Sequence, residues 1–466
     1  MATADALERR SRRRARRKLL WEAVIVLGVT ALAAVIVYFV YRHPIGSPWK
    51  VAGTKVQDIS NQPGIQTEAA VAADPSNSKV LFGASNETLE PEIRIYTSRN
   101  GGRTWSESAG PQHNPNTCAW GDPSVAIARN GRQYVAFTEK SICIPGTDLT
   151  PYLVVGSRQG PGGRWTERRV THATSKFGFD DKPAISVDAA GRAYVAWSRL
   201  YGQKFQTTVV SSSTDGGRTW TKPLMVHRGL VQPQLVTIAG GPRGVVYLAG
   251  VDAKGLWIGR STDAGRSFTV KQGVAPLPGN QAATCLVFGK FVVPEQAVKC
   301  LGPNPTITLA PKRVFVTYGV NGADRTQDVA VAVFDRSLRP VWRGPIGSEK
   351  KKADQFWPSS AVDASTGKLW ACYYDTTGDS ARQHAWFVCT SSSDGKHWAE
   401  PVRAAEASQN PGVLWADASI AGFADSAAYG GYTAVAAADG AVHPFWIDTR
   451  DIGGNREELF ASIVRQ

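Results

Sequence analysis

No C-x-x-C pair occurs in this 466-residue chain, so its six cysteines give no support for a zinc site. Acidic residues are in the minority, 39 against 53 Lys and Arg, for a formal net charge of +14. The excess is uneven. Residues 1–18 hold Arg9, Arg10, Arg12, Arg13, Arg14, Arg16, Arg17 and Lys18 against Asp5 and Glu8, leaving the remaining chain only modestly basic. Such a tail can signal nucleic-acid binding, but a better cause lies beside it. Long apolar runs are otherwise missing, and the one exception is residues 19–41. What is abundant is Gly (46), Pro (27) and Trp (15). That turn-rich, aromatic-rich balance favours an all-β fold with ample core.

The stretch Leu19–Tyr41 has 23 residues with one charge, Glu22, near its end. As a helix it spans about 34 Å, enough to cross a bilayer. Trp21, Tyr38 and Tyr41 suit the two interfaces, and the arginine cluster predicts a cytoplasmic N-terminus. A cleaved signal peptide ending at Ala31-Leu32-Ala33 is the rival, but the apolar run continues through Val35–Val40. The expected organisation is a basic cytoplasmic tail (1–18), a transmembrane helix (19–41), a linker with Pro44 and Pro48 (42–50), and an extracytoplasmic domain (51–466). The expected location is the cell membrane, single-pass, with the membrane as partner and no nucleic acid.

Export agrees with an even cysteine count. The near-neighbour pairing is Cys118–Cys143, Cys285–Cys300 and Cys372–Cys389, one of fifteen connectivities. Cys372 and Cys389 lie on the two arms of one predicted hairpin.

One turn signature recurs. It reads Ser98-Arg99-Asn100-Gly101-Gly102-Arg103-Thr104-Trp105, then Ser213-Thr214-Asp215-Gly216-Gly217-Arg218-Thr219-Trp220, then Ser261-Thr262-Asp263-Ala264-Gly265-Arg266-Ser267-Phe268. A shorter copy is Ser392-Ser393-Asp394-Gly395-Lys396-His397-Trp398, and a degenerate one surrounds Gly156–Trp165. Asp, Asn and Ser oxygens bond nearby backbone N–H groups, Gly supplies a positive φ, and the aromatic packs between strands. Each copy has one carboxylate at most and no closing Glu, which argues against a calcium loop. No metal and no cofactor is expected.

The pattern S-x-D-x-G-x-T-W resembles the Asp box, or BNR repeat, of sialidase-type β-propellers. A second periodicity supports the resemblance. Runs such as Pro183–Asp188, Gly191 and Ala193–Trp197 recur at Pro123, Pro233, Pro305 and Pro358, with looser copies at Ala69–Phe82 and Thr433–Trp446. Seven starts at roughly 45–70 residue intervals predict seven four-stranded blades. Six, the number in sialidases proper, is the alternative. The segment after Tyr432 supplies only three strands, so Val51–Ser60 is expected to complete the last blade. Residues 276–302 form an insertion, and Asn86-Glu87-Thr88 is a glycosylation sequon.

In a propeller the residues entering each first strand share one mouth with the loops between strands two and three. Those entries are Glu68, Asp122, Lys182, Gln232, Asn304, Trp357 and Tyr432, with Asp181 beside Lys182. The loops add Glu139, Arg199, Asp252, Arg325, Asp375, Arg382, Asp448 and Arg450. A sialidase needs an arginine clamp for the sugar carboxylate, a tyrosine nucleophile with its glutamate and an acid/base aspartate. The resemblance offers Arg199, Arg325, Arg382 and Arg450 as clamp, Tyr374 or Tyr432 as nucleophile, Glu68 as base, and Asp122 or Asp181 as acid. Lys182, Trp357, Asp375 and Asp448 complete the expected ligand-binding set. However, sialidases carry an arginine in a Phe/Tyr-Arg-Ile-Pro motif before the first blade, and residues 51–70 contain no arginine. Binding of a glycan or protein at the mouth therefore ranks above sialidase-like hydrolysis, and an assembly role for a membrane complex ranks third.

Overall fold

A computed structural model describes Trp21, Val24–Ile25, Gly28–Thr30 and residues 46–60, 65–87, 92–111, 118–140, 152–171, 179–201, 205–230, 236–276, 302–322, 326–347, 352–406, 429–449 and 457–466. Residues 1–46 and 47–466 are two separate compact units. In the first, Trp21, Val24, Ile25 and Gly28–Thr30 are helical. No helix among the described residues is long and apolar enough to cross a membrane. The rest of the predicted span 19–41 lies outside them.

Residues 47–466 form seven four-stranded antiparallel sheets, which excludes the six-bladed alternative. Blade one is Gln66–Asp74, Asn77–Glu87, Glu92–Ser98 and Ser106–Ala109. Blade two is Cys118–Ile127, Arg132–Lys140, Tyr152–Gln159 and Thr166–Arg169. Blade three is Phe179–Val187, Ala193–Tyr201, Phe205–Ser213 and Leu224–Leu230. Blade four is Thr237–Gly240, Val246–Asp252, Gly255–Ser261 and Thr269–Ala275. Blade five is Thr306–Leu309, Arg313–Asn321, Gln327–Asp335 and Pro340–Pro345. Blade six is Gln355–Val362, Leu369–Asp375, Trp386–Ser392 and Val402–Arg403. Blade seven is Ala434–Ala438, Ala441–Asp448, Glu458–Val464 and, from the other end of the domain, Gly53–Asp58. That last strand pairs antiparallel with Glu458–Val464 (Gly53 opposite Val464, Asp58 opposite Phe460) and closes the ring, as the three-strand count required. The added strand pairs the outer side of Glu458–Val464, which would otherwise be a free edge, and gives blade seven the same four strands as the others.

Strand alternation explains why the blades stack. In blade three, Ala193, Val195 and Trp197 face blade two, while Tyr194 and Ala196 face blade four. Successive side chains of a strand point to opposite faces, so one apolar strand serves two seams. Seven apolar clusters result, one at each seam, the last joining Ile59, Phe445 and Leu459 to Ala69 and Tyr96. Trp197, Trp257, Trp370 and Trp446 are fully buried in them. Each large apolar side chain buried this way contributes roughly 1.5–3 kcal/mol.

The recurring signature forms the turn between strands three and four. Ser213 Oγ donates to Asp215 Oδ1 (2.8 Å), and the N–H groups of Arg218 and Thr219 donate to the same oxygen (both 3.0 Å). Gly217, at φ 86°, donates its N–H to Ser213 Oγ (2.9 Å). The copies at Ser261 and Ser392 repeat this network. Cys372 and Cys389 sit opposite one another on adjacent strands and form the predicted disulfide. Cys143, Cys285 and Cys300 lie outside the described residues, as does most of the insertion.

Candidate functional site at the channel mouth

Five of the seven entry residues share an unusual backbone. Glu68, Asp122, Lys182, Asn304 and Trp357 all have positive φ, between 37° and 58°. Non-glycine residues rarely adopt this region, at a cost of order 1–3 kcal/mol each. In four blades the ladder with strand two slips at that same point, between Thr67 and Ala70, Gly121 and Ser124, Asp181 and Ala184, and Phe356 and Ser359. Each slip is a bulge, which re-aims the side chain it carries. Pro123, Pro183, Pro305 and Pro358 follow four of the entries. Lacking an N–H, proline fits a position where the ladder is already broken.

The bulges bring residues from four blades around Glu68. Its N–H donates to Gly430 O (2.7 Å). Its Oε2 accepts the Asp122 N–H (2.7 Å) and the amide of Asn86, while Oε1 lies 3.4 Å from Lys182 Nζ. Lys182 Nζ also lies 2.5 Å from Asp122 Oδ1. Gly431 is needed here, since at φ 89° a Cβ would sit 3.3 Å from Glu68 Cγ. Gly121 is needed too, because a Cβ would come within 2.5 Å of Asn86 Nδ2. The sequon asparagine thus turns inward to hold Glu68. Its role was missed because nothing local marks it.

Electrostatics ties the cluster together. Burial raises the Asp122 carboxyl above its usual range, and Asp181 adds repulsion while Lys182 opposes both. Burial alone would lower Lys182, but Asp122, Glu68 and Asp181 outweigh it and hold the ammonium well above its ordinary value. Tyr432 is raised well above the ordinary phenol by burial and then by the charges of Glu68, Asp122 and Asp181. It is therefore a phenol at neutral pH, and its ring lies 5.7 Å from Lys182 Nζ. Tyr432 and Asn304 line a cavity of about 210 Å³ at the channel axis, with Pro123, Pro183 and Pro358 in its wall. It is smaller than the ~300–1,000 Å³ typical of drug-sized ligands, so it admits one small ring or chain end.

The other expected residues lie elsewhere. Tyr374 is not available as a nucleophile: it is fully buried at the seam of blades six and seven and donates its hydroxyl to Ile447 O (2.8 Å). Trp357 is no exposed platform; its side chain is buried in the same cluster. Asp375 is buried and held by the Thr377 N–H (2.6 Å) and Gln355 Nε2 (3.0 Å). Asp448 is buried opposite Glu458. Arg199 forms a bidentate pair with Asp180 (2.7 and 3.0 Å), whose Oδ1 also accepts the Trp197 indole. Arg382 is paired with buried Asp354 (2.9 Å). These two arginines are occupied in separate blades and form no shared clamp. Arg325, Arg450 and Gln232 lie outside the described residues. Asp180 and Asp354 were missed because nothing in sequence links them to the arginines. No cluster of His, Cys, Asp and Glu among the described residues has metal-binding geometry.

Fold and mouth together define a seven-bladed β-propeller with a charged, partly enclosed channel entrance. No family model and no curated protein matches the chain. It is similar to solved structures, including the Penicillium chrysogenum alpha-L-arabinanase complexed with arabinobiose (11% identity, 89% of this chain and 98% of that chain, TM-score 0.49). Others are a PL25 ulvan lyase (9%, 90% and 95%, 0.49) and the Hadza microbial sialidase Hz136 (13%, 84% and 74%, 0.42). Those likenesses concern the fold.

Proposed function

We propose that this protein is a membrane-anchored, extracytoplasmic propeller of the Asp-box kind that binds the end of a neutral glycan at its mouth. The observation that carries the binding site is the Glu68–Asp122–Lys182 cluster beside the Tyr432-lined cavity. Carboxylate oxygens accept pairs of sugar hydroxyls, and the Tyr432 phenol donates to a ring or glycosidic oxygen. Three carboxylates surround one ammonium, so the described centre repels a sugar acid. That, with Arg199 and Arg382 committed to aspartates, stands against a sialoside ligand. The anchor rests on the apolar segment 19–41; its helical residues Trp21, Val24, Ile25 and Val29 are all exposed.

A second reading is hydrolysis of such a glycan, favoured by one feature. Asp122, with its raised pKa, and Glu68 both contact the same ammonium, and an acid beside a carboxylate is the usual glycosidase pair. Calorimetric titration of residues 47–466 with arabinobiose and with 3′-sialyllactose, and of a Glu68→Gln variant, tests the first reading. Binding of the neutral sugar that is lost in the variant supports it. Preferential binding of the sialoside overturns it. Turnover of neutral aryl glycosides in the same preparation separates hydrolysis from binding.

A further inference from the structure

The antiparallel order places the turns between strands three and four, and those between strands one and two, at the end of the ring opposite the mouth. Across blades one to three this end carries Arg99, Arg103, Arg132, Arg164, Arg168 and Arg218. All but the half-buried Arg132 are exposed. They run continuously across two seams. Arg99 Nη2 donates to Pro161 O in the blade-two turn (3.0 Å), and Arg168 Nε donates to Arg218 O in the blade-three turn (3.1 Å). The Arg132 guanidinium lies against Gly216 of that turn, where a Cβ would meet its Nε at 3.0 Å. Arg218 Nε in turn donates to Asp215 O (2.9 Å), so backbone contacts position four of the six, and among the described residues none of the six is in an ion pair. The carboxylates in these turns, Asp74, Asp188 and Asp215, each accept N–H groups of their own turn, and Asp215 also accepts the Thr219 hydroxyl (2.6 Å). The crowding reaches inward, since burial and then the charge of Arg99 lower Arg158 to about 10.

We infer that this arginine patch docks onto the phosphate headgroups of an anionic bilayer. Guanidinium forks match phosphate oxygens. A patch spread over three blades without a groove or stacked aromatics fits a flat array of mobile charges better than a threaded polymer. The inference rests on the anchoring part of the proposal above, since segment 19–41 keeps the domain near a bilayer and raises its effective concentration there.

The test uses residues 47–466, a compact closed ring by themselves, so it does not depend on the anchor. Cosedimentation would be measured with vesicles of phosphatidylcholine alone and with about 30% phosphatidylglycerol, at ~50 and ~300 mM salt. The expected result is binding only to the anionic vesicles, weakened by salt. Arg103→Gln, Arg164→Gln, Arg168→Gln and Arg218→Gln together should lower partitioning at least about tenfold. Lys254→Gln with Arg228→Gln, which removes charge outside the patch, should lower it far less. Unchanged binding by the fourfold variant overturns the inference. So do equal losses in the control, equal binding to neutral vesicles, or binding to polyphosphate without binding to vesicles. Failure of the anchor reading would appear separately, as release of the full chain from membranes by alkaline wash.

Discussion

Lys182 of blade three reaches Asp122 of blade two, Nζ to Oδ1 2.5 Å, and the same ammonium lies 3.4 Å from Glu68 of blade one. One cation thus joins three successive blades at the channel entrance. It also compensates the positive-φ backbone of all three residues, a strain that persists only where the surroundings over-determine it.

Lys182→Met should therefore destabilise the propeller by about 3 kcal/mol near neutral pH, because it leaves largely buried carboxylates unpaired. The Asp122 pKa, already raised in the folded state, should rise further without its cation. A folded-state carboxyl pKa above the unfolded value means the native state holds more protons, so stability falls as pH rises. The variant should consequently recover stability as pH is lowered from 7 toward about 4, and adding Asp122→Asn should restore part of the loss at pH 7. Chemical denaturation across that range reads both effects, and a Lys182→Met loss that is independent of pH would contradict the coupling.

His443 gives an opposite pH signature. It is buried in strand two of blade seven, and burial, then the charge of Arg465, lower its pKa to about 4. The unfolded chain takes up this proton near pH 6.5, the folded chain only near 4. Stability should therefore fall as pH drops through that window, by about 3 kcal/mol in full. The slope of unfolding free energy against pH between 6.5 and 4 should be visibly shallower in His443→Leu than in the parent. Equal slopes would show that the imidazole is not held neutral.

The Cys372–Cys389 link spans 17 residues and ties strands two and three of blade six. In the chain-entropy account a loop of that size is worth about 3 kcal/mol. Replacing both cysteines by alanine should lower stability by about 2–4 kcal/mol while leaving the mouth cluster and its ligand binding intact. Thermal unfolding of the double variant, with titration at the mouth, checks both halves of the expectation.

Ring closure depends on Gly53–Asp58 pairing with Glu458–Val464. Deleting residues 1–60 should expose that edge and remove Ile59 from the seam of blades seven and one. Exposed edges template association, so the truncated chain should elute as oligomers or aggregate. The 47–466 chain, by contrast, should remain monomeric in light scattering. A monomeric, cooperatively unfolding truncation would show that closure is dispensable.

Much of the architecture was legible because its determinants are local. The Ser213–Trp220 signature encodes its own turn through bonds spanning two to four residues. Strand alternation, as in Ala193–Trp197, specifies both faces of a sheet at once. The mouth was legible in part. The X-Pro pattern marked Asp122, Lys182, Asn304 and Trp357 as equivalent positions, and the structure gives all four the same backbone. Whether each side chain then reached the channel was not legible. Asp122 and Lys182 meet, whereas Trp357 is drawn into the core by Phe356, Trp370 and Tyr374. Tyr374 likewise lies near a strand end yet faces the seam.

The sequence by itself determined an all-β propeller with seven blades favoured over six, the position of its repeated turns, and the expected use of an N-terminal strand to complete the last blade; the structure decided for seven. Those features follow from short-range hydrogen bonding, period-two patterning and the need to pair a sheet edge. Only the tertiary structure decided which charges meet. Glu68 finds Asp122 across 54 residues and Lys182 across 114. Arg199 and Arg382 are captured by Asp180 and Asp354. Ion pairing depends on distance in space and on the dielectric around the pair, and neither is set until the strands have paired and neighbouring blades have stacked.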